Sequence, residues 1–258
     1  MSFNPPSPGI NFYNANNANG CGVQKVYLSQ NGNNGYNYNS NASNAFPASL
    51  SPVRWYKSTS GITLAAGALI SWMDQSGNQD LLTPQGTAPL FTPFDSAFNG
   101  LPGIDPASTS ANMLGNMGGG GGVVSQPNTT YVVGYILTGN NFADSNSQRQ
   151  IIGYTSSWYI HAGSALQAAT SVAYGTAVVS VFACIFNGAN SSMIQNTSTN
   201  IIVSGDASTN SYGPILMFGN GGITGGVAEF IIYKGVHTTA QISSMFKYFA
   251  LSYGGNFS

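Results

Sequence analysis

The chain has 258 residues, of which 42% are apolar and only 5% are charged, with six Lys or Arg against seven Asp or Glu. The apolar fraction suffices for one large folded domain, but the scattered cations exclude the Lys and Arg clusters that nucleic acids and anionic membrane surfaces require. We therefore expect no nucleic-acid and no membrane partner, and a surface covered by neutral polar groups.

The first 50 residues form an asparagine-rich segment. Thirteen of the 28 asparagines lie within residues 1–45, and the apolar content is too low to build a core. A disordered tail is one interpretation, and an assembly arm that becomes ordered against another chain is the other. The second is favoured by interspersed apolar and aromatic residues, namely Phe3, Ile10, Phe12, Tyr13, Tyr27, Tyr36 and Tyr38. The first residues lack the basic and apolar regions of a signal peptide, so we expect synthesis in a cytoplasm.

The eleven residues "SWMDQSGNQDL" (71–81) concentrate two aspartates and a Ser-Gly-Asn turn in a chain with few charges. Asp74, Asn78 and Asp80 offer the oxygen ligands that Ca²⁺ prefers, although their spacing is not that of an EF-hand. An Asp side chain can also accept backbone N–H bonds two residues further on, and Gly accepts a positive φ. We interpret the stretch as a structural turn, with calcium as the alternative.

Beyond residue 52 the pattern is that of an all-β domain. Short runs rich in Val, Ile, Tyr, Phe and Thr alternate with turn signals, as in a sandwich or barrel. The runs are 129–139, 149–155, 157–163, 177–186, "IIVSG", "PILMFGN" and "GGVAEFIIYKG". Asn187-Gly188 predicts a two-residue type I′ hairpin turn. Cys184 lies in an apolar run and is expected to be a buried thiol, whereas Cys21 lies in a loop.

The C-terminal region predicts one amphipathic helix, residues 238–253. Thr238 and Gln241 form a capping-box pattern, and Gly254 supplies a left-handed stop. One face carries apolar residues at helical spacing, namely Ile242, Met245, Phe246, Phe249 and Tyr253. We expect this helix to close one edge of the β domain.

Several of these segments occur in the order found in a known family. "VRWYKSTSGI", "ISWMDQSGN", "FNGLPGID" and "GGVAEFIIYKG" followed by a capped helix resemble the LamG-like, concanavalin A-like lectin/glucanase jelly-roll domains of bacteriophage and viral structural proteins. The matching positions are Trp55, Tyr56, Trp72, Asp74, Ser76, Gly77, Asn78, Asn99, Gly100, Pro102, Gly226, Glu229 and Tyr233. The resemblance implies a jelly-roll β-sandwich of two antiparallel sheets over residues 51–258, preceded by the arm 1–50.

The residues argue against catalysis. The glucanase members of that family carry a Glu-x-Asp-x-x-Glu type motif, whereas Glu229 is the single glutamate here, with no aspartate near it in sequence. We expect Glu229 to pair with a cation or to cap backbone groups at a sheet edge. His161 and His237 are isolated, and no Gly-x-Ser-x-Gly segment is present. We therefore predict no catalytic residue, no transition-metal site and no cofactor.

Carbohydrate binding remains an alternative. Trp158, Tyr159, Tyr174 and Tyr212 lie close to Ser, Asn or Gly, which suits a sugar site if their rings are exposed, although aromatics in strands more often lie in the core.

Our principal expectation is a non-enzymatic subunit on a virion surface, such as a bacteriophage capsid-decoration, head-fibre or tail-associated protein. It would bind other virion subunits through residues 1–50 and self-associate, for example as a trimer. Host glycans are a further expected partner.

Overall fold

The computed structural model describes residues 27–31, 35–39, 45–106, 111–115, 122–145, 149–169, 174–219 and 223–258. The elements are mostly β, as the sequence predicts. The strands are β1 (Tyr27–Asn31), β2 (Gly35–Asn39), β3 (Arg54–Lys57), β4 (Ile62–Ala65), β5 (Ala68–Met73), β6 (Leu81–Pro84), β7 (Leu90–Thr92), β8 (Gly103–Asp105), β9 (Met113–Gly115), β10 (Asn128–Gly139), β11 (Asn141–Ser145), β12 (Ile151–Tyr154), β13 (Trp158–His161), β14 (Ala165–Gln167), β15 (Ser180–Phe186), β16 (Ser191–Gln195), β17 (Ile201–Gly205), β18 (Ile215–Met217) and β19 (Ile223–Lys234). The helices are α1 (Ala45–Ser49) and α2 (Thr239–Tyr253).

The strands β3–β19 form one large antiparallel sheet that curls until it is nearly closed. Hydrogen-bonded neighbours run β17-β16-β15-β10-β19-β8-β7-β5-β6-β9-β18-β11-β12-β13-β14, and β14 then returns to lie near β17. Strand β3 pairs with β19 beside β8, and β4 pairs with β5. Closure of this kind leaves few unpaired edges, which protects an uncharged β protein from edge-to-edge association.

The central strands β10, β15 and β19 are buried on both faces. Val132, Phe182 and Phe230 point into an inner cluster that the curled sheet encloses. Alternate residues such as Tyr131 and Ile231 point outward into a second cluster. Because both faces are covered, these strands are continuous apolar runs without polar alternation.

Helix α2 covers the outer face of these central strands. Thr238 caps it with the predicted capping box, and the backbone N–H of Gly254 bonds to Ala250 at its end. The predicted apolar face is buried, and Tyr248 joins it. The expectation that the helix closes an edge of the domain is therefore corrected: it packs on a sheet face, because the outward residues of β10, β15 and β19 need a cover.

Two local predictions are also corrected. The β15–β16 hairpin exists, but Gly188–Asn190 form a 3-10 turn and Asn187 has φ −150°, so the connection is longer than a type I′ turn. At the N-terminal side, Phe46 and Leu50 pack on the outer cluster, and the Tyr233 hydroxyl donates to the Pro47 carbonyl at 3.1 Å. The last residues of the predicted arm, 46–50, therefore belong to the folded body.

The other described part of the arm is a hairpin. Strands β1 and β2 pair with each other, and Cα atoms of β2 lie within 8 Å of Cα atoms of β4. Tyr27, Tyr36 and Tyr38 are on these two strands, whereas Phe3, Ile10, Phe12 and Tyr13 lie outside the described residues. In the part of the chain that the structure describes, no helix is long and apolar enough to cross a bilayer.

Candidate functional site

The turn 74–80 binds strand β3 rather than facing a groove. Both oxygens of the Asp74 carboxylate are used: Oδ1 accepts from the backbone N–H of Ser76 at 2.9 Å and of Trp55 at 2.6 Å, and Oδ2 accepts from the Ser76 hydroxyl at 2.5 Å. The first of these bonds is the Asx-type contact that the sequence predicts, with the residue two positions further on. The predicted turn contact is therefore present, whereas the contact with Trp55 was not predicted.

The other two calcium candidates bind the two residues that precede Trp55. Asn78 Nδ2 donates to the Val53 carbonyl at 3.0 Å, and Asp80 forms a buried ion pair with Arg54. Asp74 and Asp80 have relative exposures of only 5% and 2%. The three side chains therefore bind residues 53–55 to the turn. These contacts explain why the segments "VRWYKSTSGI" and "ISWMDQSGN" occur together.

The four predicted sugar-binding aromatics do not form an exposed platform. Trp158 and Tyr212 have 0% exposure, and Trp158 stacks on Phe142 with ring centroids 5.7 Å apart. The hydroxyl of Tyr159 donates to Asn141 Oδ1 at 2.6 Å, in a buried contact. Tyr174 is half-buried and stacks on Tyr154 at 3.6 Å. The structure corrects this set. Trp158 and Tyr212 point into the inner cluster, whereas Tyr159 is buried on the other face of β13 and Tyr174 is only partly buried against the inner cluster.

Glu229 lies in a buried polar cluster between β19, β3 and α2. Its carboxylate accepts hydrogen bonds from Trp55 Nε1 at 2.5 Å and from the Tyr253 hydroxyl at 2.7 Å. The Tyr248 hydroxyl donates to the same carboxylate at 3.1 Å and accepts from Lys57 Nζ at 2.9 Å. Glu229 is therefore fully buried beneath the helix and not at a sheet edge, and the Tyr248 hydroxyl connects its carboxylate to Lys57.

Burial and bonding act on this carboxylate in opposite directions. Burial raises the pKa of Glu229 because the charged form is desolvated, whereas the positive charge of Lys57 and the donors of Tyr253, Trp55 and Tyr248 lower it. All four surrounding side chains are themselves buried. The cluster thus joins helix to sheet by charge-assisted hydrogen bonds and presents no carboxylate to solvent.

The remaining ionisable candidates are also bound by the chain. Nδ1 of His237 lies 2.8 Å from the Tyr131 hydroxyl, and burial lowers the pKa of His237 to about 4. Burial raises the pKa of the Cys184 thiol well above its usual range, which favours the unreactive thiol. Among the described residues, no group of three His, Cys, Asp or Glu is arranged to hold a metal ion.

An exposed apolar surface lies on β5, β6 and β7, and the sequence analysis did not identify it. We define the outer patch as Ala68, Ile70, Met73, Leu81 and Leu90. Ile70, Met73 and Leu90 have exposures of 44%, 37% and 48%. Cross-strand pairing places Ala68 opposite Leu90 and Met73 opposite Leu81. Leu69 and Trp72 point inward on β5 although they are three positions apart, because a bulge at Ile70 interrupts the alternation that would have revealed this surface.

The outer patch continues the face that α2 covers. Two rows of paired residues meet on the outer side of the sheet: Tyr135 (β10) pairs with Gly226 (β19), and Leu90 (β7) pairs with both Asp105 (β8) and Ala68 (β5). The neighbouring pair Val227–Ile104 joins β19 to β8 between them. The ring of Tyr135 lies against Gly226, where a Cβ would come within 2.7 Å of it. The Tyr135 hydroxyl donates to Asp95 at 3.2 Å. These polar groups mark the boundary between the covered and the uncovered part of the face.

Comparison with known proteins gives likeness in structure only. No protein-family model and no curated protein sequence matches the chain. The binding domain of Paraclostridial Mosquitocidal Protein 1 has a TM-score of 0.54 at 11% identity, over 77% of this chain and 53% of that one. An arabinofuranosidase solved with arabinofuranosyl-α-1,2-xylobiose has a TM-score of 0.51 at 13% identity, over 72% and 51%. A Trypanosoma rangeli sialidase solved with sialic acid has a TM-score of 0.51 at 9% identity, over 78% and 33%.

The chain therefore spans about half the length of the first two proteins and a third of the sialidase chain. At such low identity these likenesses show the fold alone. The chain has a β-rich fold of the kind found in glycosidase and binding-protein domains, consistent with the lectin-like resemblance of its sequence.

Proposed function

We propose that this chain is a non-enzymatic structural subunit of a virus particle, displayed on the surface of a bacteriophage capsid or tail and attached through residues 1–50. Its β domain would be a variant of the two-sheet concanavalin A-like jelly roll, with the sheets joined into the nearly closed sheet described above. The proposal draws its virion component from the sequence resemblance and from the neutral, asparagine-rich composition.

The proposal that the chain is not an enzyme is supported by one observation, which is that its carboxylates are bound by other groups of the same chain. Acidic side chains throughout the domain accept a hydrogen bond or form an ion pair within the chain, namely Asp74, Asp80, Asp95, Asp144, Asp206 and Glu229. A glycosidase needs two carboxyl groups directed at one glycosidic bond. Carboxylates that stabilise turns, strands and a helix contact serve a scaffold better than they serve that chemistry.

Incorporation into particles tests the proposal. A chain lacking residues 1–45 should fold, with a thermal unfolding midpoint close to that of the full chain, and should be missing from particles purified on a density gradient. A full-length Leu251→Ser chain, altered at an exposed position of α2, is the control and should be incorporated normally. Normal incorporation of the shortened chain would refute the anchoring role of the arm.

A second candidate function is carbohydrate binding. It is favoured by the likeness in fold to part of an arabinofuranosidase solved with arabinofuranosyl-α-1,2-xylobiose. A glycan array probed with high micromolar protein tests it. Specific binding to a saccharide class would support a receptor-recognition role, and a uniformly blank array would remove this candidate.

A further inference from the structure

We infer that the outer patch is the binding surface for residues 1–26 of the same chain in the free subunit. This inference goes beyond the proposed function, which says that the arm anchors the subunit and not where the arm lies before assembly. It rests on the exposure of the patch, on the place where the described chain begins, and on the composition of the segment.

The exposed apolar surface needs a cover. Ile70, Met73 and Leu90 are all more than one third exposed, on adjacent strands of one sheet face, and they are joined by Ala68 and Leu81. Clustered exposed apolar residues on a sheet mark an interaction site, whereas isolated ones need no explanation. Elsewhere on the same face, α2 supplies the cover.

The hairpin that follows residues 1–26 lies near the outer patch. The β1–β2 hairpin lies beside β4, and β4 pairs with β5, which carries Ile70 and Met73. Residues 1–26 precede Tyr27 of that hairpin, and an extended chain of this length spans up to about 85 Å. The segment therefore begins at a hairpin whose second strand lies beside β4, one strand away from β5, and it is long enough to reach the outer patch and cross it.

The segment also has a suitable composition. It carries Phe3, Ile10, Phe12 and Tyr13, and Lys25 is its single charged residue. Such a chain can pack apolar side chains on the patch without bringing a charge onto it. Binding in the same chain has the advantage of a high effective concentration, because the segment is tethered beside its site. An arm held in this way can exchange onto a neighbouring copy, which is a low-cost route to self-association.

Disulfide trapping tests the position of the segment, since Cys21 provides a native thiol within it and Cys184 is buried. We expect Leu90→Cys, under mild oxidation, to form an intrachain disulfide with Cys21, detected as a linked peptide by mass spectrometry. The matched control is Leu251→Cys, which is 81% exposed on α2 and should form at least tenfold less of that disulfide.

Proteolysis at Lys25 gives a second measurement without added cysteines. Ile70→Asp and Leu90→Asp place a charge on the patch, and we expect trypsin to cleave after Lys25 at least fivefold faster in these variants than in the wild type. Leu251→Asp should leave the cleavage rate unchanged. All three sites are exposed, so an unchanged unfolding midpoint verifies that each variant is folded.

Equal trapping at positions 90 and 251, or equal cleavage rates in all variants, would overturn the inference. A Leu90→Cys product that is only interchain, seen as a doubled mass, would also overturn it and assign the patch to a second copy. These outcomes are separate from the particle assay: the arm could fail to bind the patch and still anchor the subunit, or the reverse.

Discussion

The outer face of the sheet has one half that is covered by a helix and one half that is exposed. Over β3, β10 and β19, helix α2 buries apolar side chains and the Glu229–Lys57 cluster. Over β5–β7 the same face carries exposed Ile70 and Leu90. The covered half is covered by helix α2, whose capping box and apolar spacing can be recognised in the local sequence. No described element covers the half over β5–β7. For this reason we propose the N-terminal segment as its cover.

The largest expected effect is in the covered half. Glu229→Gln should lower the free energy of unfolding by about 3–5 kcal/mol, because Lys57 would remain buried without its opposite charge. Chemical denaturation measures the change. Asp206→Asn, the same chemical change at an exposed turn, should cost less than about 0.5 kcal/mol. The double variant Lys57→Met with Glu229→Gln should recover most of the loss. Wild-type stability in Glu229→Gln would show that the cluster does not hold the helix.

Substitution of one isoleucine in each half of the outer face compares how much each half contributes to the free energy of unfolding. Ile242→Ala in α2, at 2% exposure, should cost about 2–4 kcal/mol because it leaves a cavity in the outer cluster. Ile70→Ala in the outer patch, at 44% exposure, should cost less than about 1 kcal/mol. Urea unfolding of both variants gives the two numbers. Equal losses would mean that the two halves of the face are covered equally well.

The start of α2 is expected to be sensitive to acid. His237 is buried against Tyr131 and Tyr233, and burial lowers its pKa from 6.5 to about 4. As the pH falls, the unfolded state therefore binds a proton at His237 before the folded state does. The contribution of neutral His237 to the free energy of unfolding is complete above pH 6.5 and is lost as the pH falls towards 4. His237→Gln should remove about 1–2 kcal/mol of that pH dependence, measured by unfolding at a series of pH values. An unchanged pH profile would contradict the buried neutral imidazole.

The smallest effect concerns the helix cap. Thr238→Ala removes the hydroxyl that accepts from the Gln241 backbone N–H, and it should cost about 1 kcal/mol. Thr239→Ala, at the first position of the helix, is the control and should be neutral or slightly stabilising, since alanine has the higher helix propensity. Thermal unfolding compares them. A loss in Thr239→Ala as large as that in Thr238→Ala would show that the cap is not specific.

Local features of the fold could be predicted because their causes are local. The capping box of α2 joins residues three apart, and the Asp74 turn joins residues two apart. The strand runs were also correctly placed, since β-branched and aromatic residues are concentrated in them. The predictions failed where the cause was long-range, as for Trp158 and Tyr212, whose inward direction depends on the curvature of the whole sheet.

The candidate surfaces show the same division. The contact between Trp55 and Glu229 joins residues 174 positions apart, and no local pattern indicates it. The outer patch was in principle readable from the alternation on β5, yet a bulge at Ile70 shifts the register there and conceals the period.

The sequence by itself determined that this protein is β-rich and sparsely charged, that it has one capped C-terminal helix and that residues 74–80 form a turn, because propensity, turn chemistry and capping act over a few residues. Only the tertiary structure decided which face of each strand is covered, where the carboxylates are bound and which apolar residues remain exposed. The physical reason is that burial of a side chain depends on elements that pack against it from distant parts of the chain. Strands that are apolar on both faces carry no local sign of which element will cover them.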